Sequence, residues 1–206
     1  TLNREDPTLK ISINQETGET LVSGLGELHL DAKVERKIRE KGINIIVSPP
    51  IVVYRETVTK EGPTIEGKSP NKHSKFWIRV KPVPMEMFKA MADGAIPDQI
   101  VKGKDLKLIE NLQKYGMSKD DARAVKLIYN HSILIDETKG VQYLNEAMEH
   151  VKTAFKSVVD AGPLAKEPCS ALMIILEDAS LHEDAVHRGP AQIIPAVRHA
   201  IFDSML

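Results

Sequence analysis

The chain has 206 residues, of which 42% are hydrophobic and 28% are charged, and its formal net charge is −1. This composition is typical of a globular protein with one or two domains, and the single Cys169 excludes an internal disulfide. No apolar run approaches the ~18 residues of a membrane span, and no secretory signal pattern opens the chain. We therefore expect a cytoplasmic protein without a membrane partner, whose anionic partners would have to be met by a local basic patch.

Residues 1–50 are predicted to fold as β-β-α-β. The alternation in TLKISIN, the turn cluster QETGET and the apolar LVSG predict a hairpin. Apolar residues three and four positions apart predict a helix over residues 27–41 that stops at Gly42, and INIIVS predicts a strand. The consecutive prolines in residues 48–50 mark a boundary. These elements are too few to bury a sheet face, so we expect an incomplete α+β domain.

Residues 51–206 are predicted to form an α+β domain. Strands are predicted in IVVYRETVT, in FWIRVKPV after a polar loop over residues 60–75, in residues 133–135 and in CSALMIILED. The last of these is apolar throughout, which indicates a buried central strand. Helices are predicted over residues 84–94, in two pieces within 105–130, over 141–161, and from Pro190 or Pro195 onward.

The two ends of the chain favour a piece of a larger protein. The first residue is Thr1 rather than Met, and Leu206 lies inside an amphipathic pattern that has no helix-ending signal.

The stretch GPTIEGKS satisfies the phosphate-loop pattern G-x-x-x-x-G-K-S over Gly62–Ser69. Such a loop requires its Lys-Ser pair to open a helix, whereas only the six residues PNKHSK separate Ser69 from the strand FWIRV. Pro63 also removes an amide donor, and Glu66 would place a carboxylate among the phosphates. A polar hairpin loop fits better, and a phosphate-loop nucleotide-binding enzyme using Gly62–Ser69 is the alternative.

The stretch HEDAVH places His182 and His187 five residues apart. On a helix this spacing turns the two imidazoles ~140° away from each other, so they do not match a zinc-protease helix. A looped segment would let them share a metal, but no third ligand is evident. We therefore expect no metal site.

Three polar loops, KSPNKHSK, GPLAKEP and HEDAVHRG, carry basic and amide side chains. If the loops meet at one end of a sheet, they form a cationic tip suited to phosphates and bases of looped or single-stranded RNA. The alternative is that each loop is merely solvated. The side chains in question are Lys68, Asn71, Lys72, His73, Lys75, Lys166, His182, His187 and Arg188.

SPNKHSK, GPLAKEP and LHEDAVHRGPAQIIPAVR resemble the three tip loops of the fourth domain of the translation elongation factor 2 family. LVSGLGELHLDAKVERKIREKGINIIVSPPIVVYRET resembles the third domain of that family running into the fourth. The resemblance covers essentially the whole chain. It implies a partial ferredoxin-like β-α sandwich in residues 1–50, the latter part of the third domain. Residues 51–206 would be the tRNA-mimicking, diphthamide-bearing fourth domain, of β-α-β type related to ribosomal-protein domains and truncated before the fifth domain.

The resemblance also implies a function, GTP-dependent translocation of tRNA and mRNA through the ribosome. The implied partners are the small-subunit decoding region with its rRNA, tRNA and mRNA, and the enzymes of diphthamide synthesis. GTP and magnesium would belong to a GTPase domain outside this sequence. We therefore expect no catalytic residue, cofactor or metal in the chain itself, and a monomer.

His187 aligns by this resemblance with the histidine that is converted to diphthamide, and we expect its ring to face solvent, oriented by Asp184. The residues Gly-Pro-Ala that follow Arg188 resemble archaeal members of the family. The resemblance further implies RNA or ribosome contacts by tip-loop residues, namely Ser69, Pro70, Asn71, Lys72, His73, Lys75, Lys166, His182, Asp184, Arg188 and Gly189.

Overall fold

The computed structural model describes residues 6–13, 19–49, 54–103 and 105–206. The chain divides into two compact units, residues 1–53 and residues 54–206. No helix in the described ranges is long and apolar enough to cross a bilayer.

The first unit contains the predicted hairpin and helix. Strands β1 (Lys10–Ile13) and β2 (Thr20–Ser23) pair antiparallel, while the turn predicted between them lies outside the described residues. The helical segment consists of α1 (Glu27–Leu30), a π-helical turn (Asp31–Glu35) and α2 (Arg36–Glu40). It ends before Gly42, whose φ of 75° lies in the left-handed region that glycine reaches without strain. The ferredoxin-like arrangement implied for this unit stays a prediction.

The strand predicted in INIIVS, residues 43–48, is wrong. These residues have no regular structure, and Ile43, Ile46 and Val47 are each more than half exposed. A strand is stable only when its backbone groups pair with a neighbour. The sheet in the described part of this unit contains only β1 and β2, so the apolar pattern of INIIVS has no strand beside it.

The second unit is an α+β domain built on a six-stranded mixed sheet. Its strands are β3 (Ile65–Lys68), β4 (Lys75–Pro82), β5 (Gln99–Ile100), β6 (Val125–Tyr129), β7 (Ser132–Asp136) and β8 (Leu172–Ser180). Its helices are α3 (Met85–Ala92), α4 (Leu106–Lys114), α5 (Lys119–Ala124), α6 (Leu144–Asp160) and α7 (Pro190–Met205). The strand order is β3-β4-β8-β7-β6-β5. β7 and β8 are parallel and joined through α6, whereas the other neighbours are antiparallel.

The sheet is covered on both faces, which explains why the first five residues of β8 are all apolar. Leu172, Ile174 and Leu176 of β8 belong to a core formed with α6 and α7, whereas Met173 and Ile175 face a second core formed with α3, α4 and α5. All five side chains are at most 3% exposed. The predicted buried central strand is therefore confirmed.

Three local predictions in this unit are corrected. In the predicted loop 60–75, residues Ile65–Lys68 instead form β3, paired with β4. Of the strand predicted over 51–59, residues 51–53 lie outside the described ranges, and residues 54–59 contain only an isolated bridge from Glu56 to Cys169. The second helix predicted within 105–130 ends at Ala124, and Val125–Tyr129 form strand β6.

β6 is a strand because its pairing with β7 outweighs local helix propensity. Asn130 and His131, which connect the two strands, both have positive φ, 45° and 60°. Two successive residues in this region form the turn whose twist matches a two-residue hairpin. Val125 and Ile128 are at most 2% exposed in the resulting sheet.

α7 begins with Pro190 at its first turn and contains Pro195 in its interior. Pro190 is well suited to this position, because its absent amide hydrogen would have no helical partner there. Pro195 removes one backbone hydrogen bond from the helix.

Candidate nucleic-acid interface

Two of the three polar loops meet at one end of the sheet. The β3–β4 turn (residues 69–74) and the β8–α7 loop (residues 181–189) follow strand ends that lie side by side, because Lys75 is paired with Ser180. We call this end of the domain the tip. The amide nitrogen of Asn71 donates to Oε1 of Gln192 at 3.0 Å, which ties the turn to the first turn of α7.

Three imidazoles from the two loops form a cluster at the tip. The ring centroids of His73 and His187 are 4.7 Å apart, those of His182 and His187 are 4.7 Å apart, and those of His73 and His182 are 4.9 Å apart. Imidazole rings stack on bases and donate hydrogen bonds to phosphate oxygens. The cluster therefore has the chemistry expected of a surface that contacts unpaired RNA.

His187 is half-buried rather than fully exposed. Its Nδ1 lies 3.3 Å from Nδ2 of Asn71. The ring is therefore oriented by Asn71. Oδ1 of Asp184 accepts a hydrogen bond from the amide of Val186 at 3.0 Å and caps the 3-10 turn Ala185–Arg188. The carbonyl oxygen of Asp184 accepts from the amide of His187 at 3.1 Å, so Asp184 contacts the His187 backbone rather than its ring.

Lys72, Pro70 and His73 are exposed at the tip, whereas Ser69 is only 2% exposed. The Ser69 hydroxyl donates to Oδ1 of Asn71 at 2.6 Å and accepts from the amide of Ser74 at 3.0 Å. Ser69 therefore holds the turn in shape from the inside, and its contact with RNA stays a prediction.

Arg188 was also predicted to contact RNA, and the structure buries it. The residue is 7% exposed, and its guanidinium is directed inward to backbone carbonyls and to Glu146. Gly189 follows as the N-cap of α7. Arg188 therefore contributes no accessible positive charge to the tip.

The third predicted loop lies at the opposite end of the sheet, so the expected convergence of three loops is wrong. Residues 162–168 precede β8, whose first residue, Leu172, pairs with Pro82 at the far end of β4. The Nζ atom of exposed Lys166 is 5.3 Å from the ring centroid of Phe202, near the C-terminal end of α7. Lys166 is therefore not a tip residue. A strand of nine residues spans ~30 Å, which separates the loops before and after β8.

The tip is less cationic than the sequence suggested. Nζ of Lys75 lies 2.8 Å and Nζ of Lys68 lies 3.8 Å from carboxylate oxygens of Glu66. The hydrogen bond from Lys75 lowers the pKa of Glu66, so the carboxylate stays charged and offsets part of the positive charge of the two lysines. Exposed Glu183 and Asp184 add negative charge. Lys72 is the exposed lysine of the tip for which the described residues supply no ion-pair partner.

The phosphate-loop alternative does not agree with the backbone. Lys68 is the last residue of strand β3 and Ser69 enters a tight turn, so neither opens a helix. Gly67 is close to α7: a Cβ on it would lie 2.3 Å from the carbonyl oxygen of Ala196. The motif glycine is thus required by helix packing. Among the described residues, no group of three or more His, Cys, Asp or Glu side chains is arranged to hold a metal ion.

These features define a mixed α+β domain in which two of the three polar loops meet at one end of the sheet, and comparison with known sequences gives its class. Residues 101–206 match the family model described as elongation factor G, domain IV, and residues 1–49 match that described as elongation factor G, domain III. The chain belongs to the elongation factor G family.

Over its whole length the chain is similar to archaeal proteins named elongation factor 2. It is 50% identical over 206 residues to those of Thermococcus kodakarensis and Pyrococcus furiosus, and 49% identical over 205 residues to that of Archaeoglobus fulgidus. In each case the alignment covers 100% of this chain and 28% of the relative. The chain thus spans a little more than a quarter of the length of these relatives.

Proposed function

We propose that the chain is the ribosome-engaging part of an archaeal elongation factor 2, a cytoplasmic monomer that drives GTP-dependent translocation of tRNA and mRNA. In this proposal residues 1–50 are the latter part of the third domain and residues 51–206 the fourth domain. GTP and magnesium act in another domain of the full-length protein, and this chain carries no catalysis of its own. Its tip contacts rRNA, tRNA and mRNA in the decoding region of the small subunit.

The observation that carries this proposal is the imidazole cluster of His73, His182 and His187 beside exposed Lys72. Flat rings that stack on bases, next to one lysine for a phosphate, suit contact with unpaired nucleotides. The near cancellation of the other charges argues for a tip that relies on shape and stacking more than on a strong field.

The RNA contact is tested with purified archaeal small ribosomal subunits, to which binding is measured over a series of salt concentrations. We expect Lys72→Ala to weaken binding about threefold to tenfold and to lower the slope of log K against log salt by about 1, because one phosphate contact is lost. Lys166→Ala is the matched control, since Lys166 lies at the other end of the sheet. The Lys166→Ala variant should bind the small subunit with the affinity of the wild type. Equal weakening by both substitutions would contradict a binding surface at the tip.

His187 is, in the same proposal, the residue that enzymes of diphthamide synthesis modify. The assignment of this modification to His187 is supported by the position of His187 in the tip cluster, where an added cationic group would supply the positive charge that the loops themselves lack. We expect the intact mass of the chain expressed in an archaeal host to show an increment that His187→Gln abolishes and His73→Gln retains. An increment that survives His187→Gln would assign the modification elsewhere.

A further inference from the structure

Arg188 closes the tip loop on itself. Its Nη1 atom donates to the carbonyl oxygens of His182 and Glu183, at 2.6 and 2.5 Å. The residue immediately before it is His187. The segment from His182 to Arg188 is thereby drawn into a closed loop that contains His187, whose own amide donates to the carbonyl oxygen of Asp184 at 3.1 Å.

The same guanidinium fastens this loop to the start of α6. Nη2 of Arg188 donates to Oε2 of Glu146 at 2.6 Å, and its Cζ lies 4.1 Å from the ring centroid of Tyr143. Because the Glu146 side chain is 63% exposed, water screens the ion pair and it stabilises the fold only modestly. The contribution of the contact is mainly geometric: it fixes where the loop sits on the helix.

Two local features of this contact are unfavourable for stability. Tyr143 has a φ of 62°, in the left-handed region, where residues other than glycine are conformationally strained. The Nε atom of Arg188 is buried and has no hydrogen-bond partner in the described structure. Unfavourable local conformations of this kind concentrate at functional sites, where the surrounding structure enforces them.

We infer that Arg188 is a positioning residue for the RNA-contacting tip. It holds the His187 ring against Asn71 and the other two imidazoles, and it does not itself meet RNA. The inference rests on the proposed function for its biological meaning, but the geometry that it concerns exists without RNA. Only arginine suits the role, because its planar group donates to two carbonyls and a carboxylate while stacking on Tyr143, whereas a lysine ammonium is a single point charge.

The test measures how fast diethyl pyrocarbonate modifies each histidine of the full chain, by peptide mass spectrometry. Arg188→Lys keeps the charge and loses the fork of donors, so the rate at His187 should rise about fivefold or more as the loop opens locally. Glu146→Ala removes only the exposed carboxylate and should give a smaller rise in the same histidine. Arg79→Lys, which alters a guanidinium bonded to Glu61 and Glu177 in mid-sheet, is the matched control and should leave His187 unchanged.

A rate at His187 that stays at the wild-type value in both Arg188→Lys and Glu146→Ala would overturn the positioning role. So would a common rise at His187, His150 and His199, because that pattern reports general loosening of the domain. Small-subunit binding provides the second readout: Arg188→Lys should weaken it at an unchanged salt slope, since no charge is lost. If the wild-type chain does not bind the subunit, the proposed function fails, while the reactivity comparison still decides the role of Arg188.

Discussion

Glu56→Ala should lower the free energy of unfolding of the second unit by about 3 kcal/mol, because it removes a buried carboxylate that accepts hydrogen bonds from three backbone amides. The Glu56 carboxylate accepts hydrogen bonds from the amides of Leu164, Ala165 and Glu167 at 2.9, 2.9 and 3.2 Å. The residue is 8% exposed, so water replaces this acceptor poorly. Glu56 is therefore the anchor of the loop that carries Lys166.

Urea unfolding followed by Trp77 fluorescence measures this effect, since Trp77 is the single tryptophan and lies in β4. Glu61→Ala is the matched control. The Glu61 carboxylate pairs with Arg79 at the surface and is half exposed, so its loss should cost less than about 1 kcal/mol. A Glu56→Ala domain as stable as the Glu61→Ala domain would show that the three amides find other partners.

Gly67→Ala should destabilise the same unit by about 3 kcal/mol through overpacking. A Cβ at Gly67 would lie 2.3 Å from the carbonyl oxygen of Ala196 and 2.8 Å from Cβ of Ala200. Backbone on both sides of this contact cannot rotate away as a flexible side chain can. Either β3 or α7 must shift, and both lead directly into the tip loops.

Gly189→Ala is the control for Gly67→Ala, because nothing lies within 4 Å of the added methyl group and φ is −70°. Because Gly189 is an N-cap residue, Gly189→Ala should lower the free energy of unfolding by less than about 1 kcal/mol. Urea unfolding measured on the two variants would contradict the packing account if Gly67→Ala proved no less stable than Gly189→Ala.

Regular elements with strong periodicity were predictable from the sequence. The predicted helix over 141–161 is observed at Leu144–Asp160, and the apolar CSALMIILED contains β8. The helix opened by Pro84 and closed by Gly94 is also present, as α3. In each of these the local pattern and the tertiary partner favour the same structure.

Elements that depend on a distant partner were not predictable. Val125–Tyr129 continues a helical pattern and becomes a strand because it pairs with β7. INIIVS has a strand pattern and stays irregular. Strand formation requires a neighbour, and the sequence of one segment does not reveal whether that neighbour is present.

The tip was partly predictable from the sequence. The main wrong prediction, which placed Lys166 at the tip, could have been avoided from the sequence itself. A single nine-residue strand separates GPLAKEP from HEDAVHRG, and the two ends of a strand cannot lie together, so Lys166 had to be remote from His187. The burial of Ser69 and Arg188 had no comparable signal, because polar side chains in a loop look alike whether they bond inward or outward. Glu146, Tyr143 and Gln192 were missed for a related reason: their partners lie more than 40 residues away or across a loop.

The two prolines of α7 lower the entropy cost of ordering the helical turn that supports the tip. Pro190 and Pro195 bracket the helical turn that bears Gln192, the side chain that holds Asn71. Each proline fixes φ near its helical value even before folding, so arranging this turn costs less conformational entropy than arranging a turn without them. The smaller loss of conformational entropy on folding thus offsets part of the cost of the backbone hydrogen bond that Pro195 removes. The turn of α7 that holds the imidazole cluster in place through Gln192 and Asn71 is therefore already restricted in the unfolded chain.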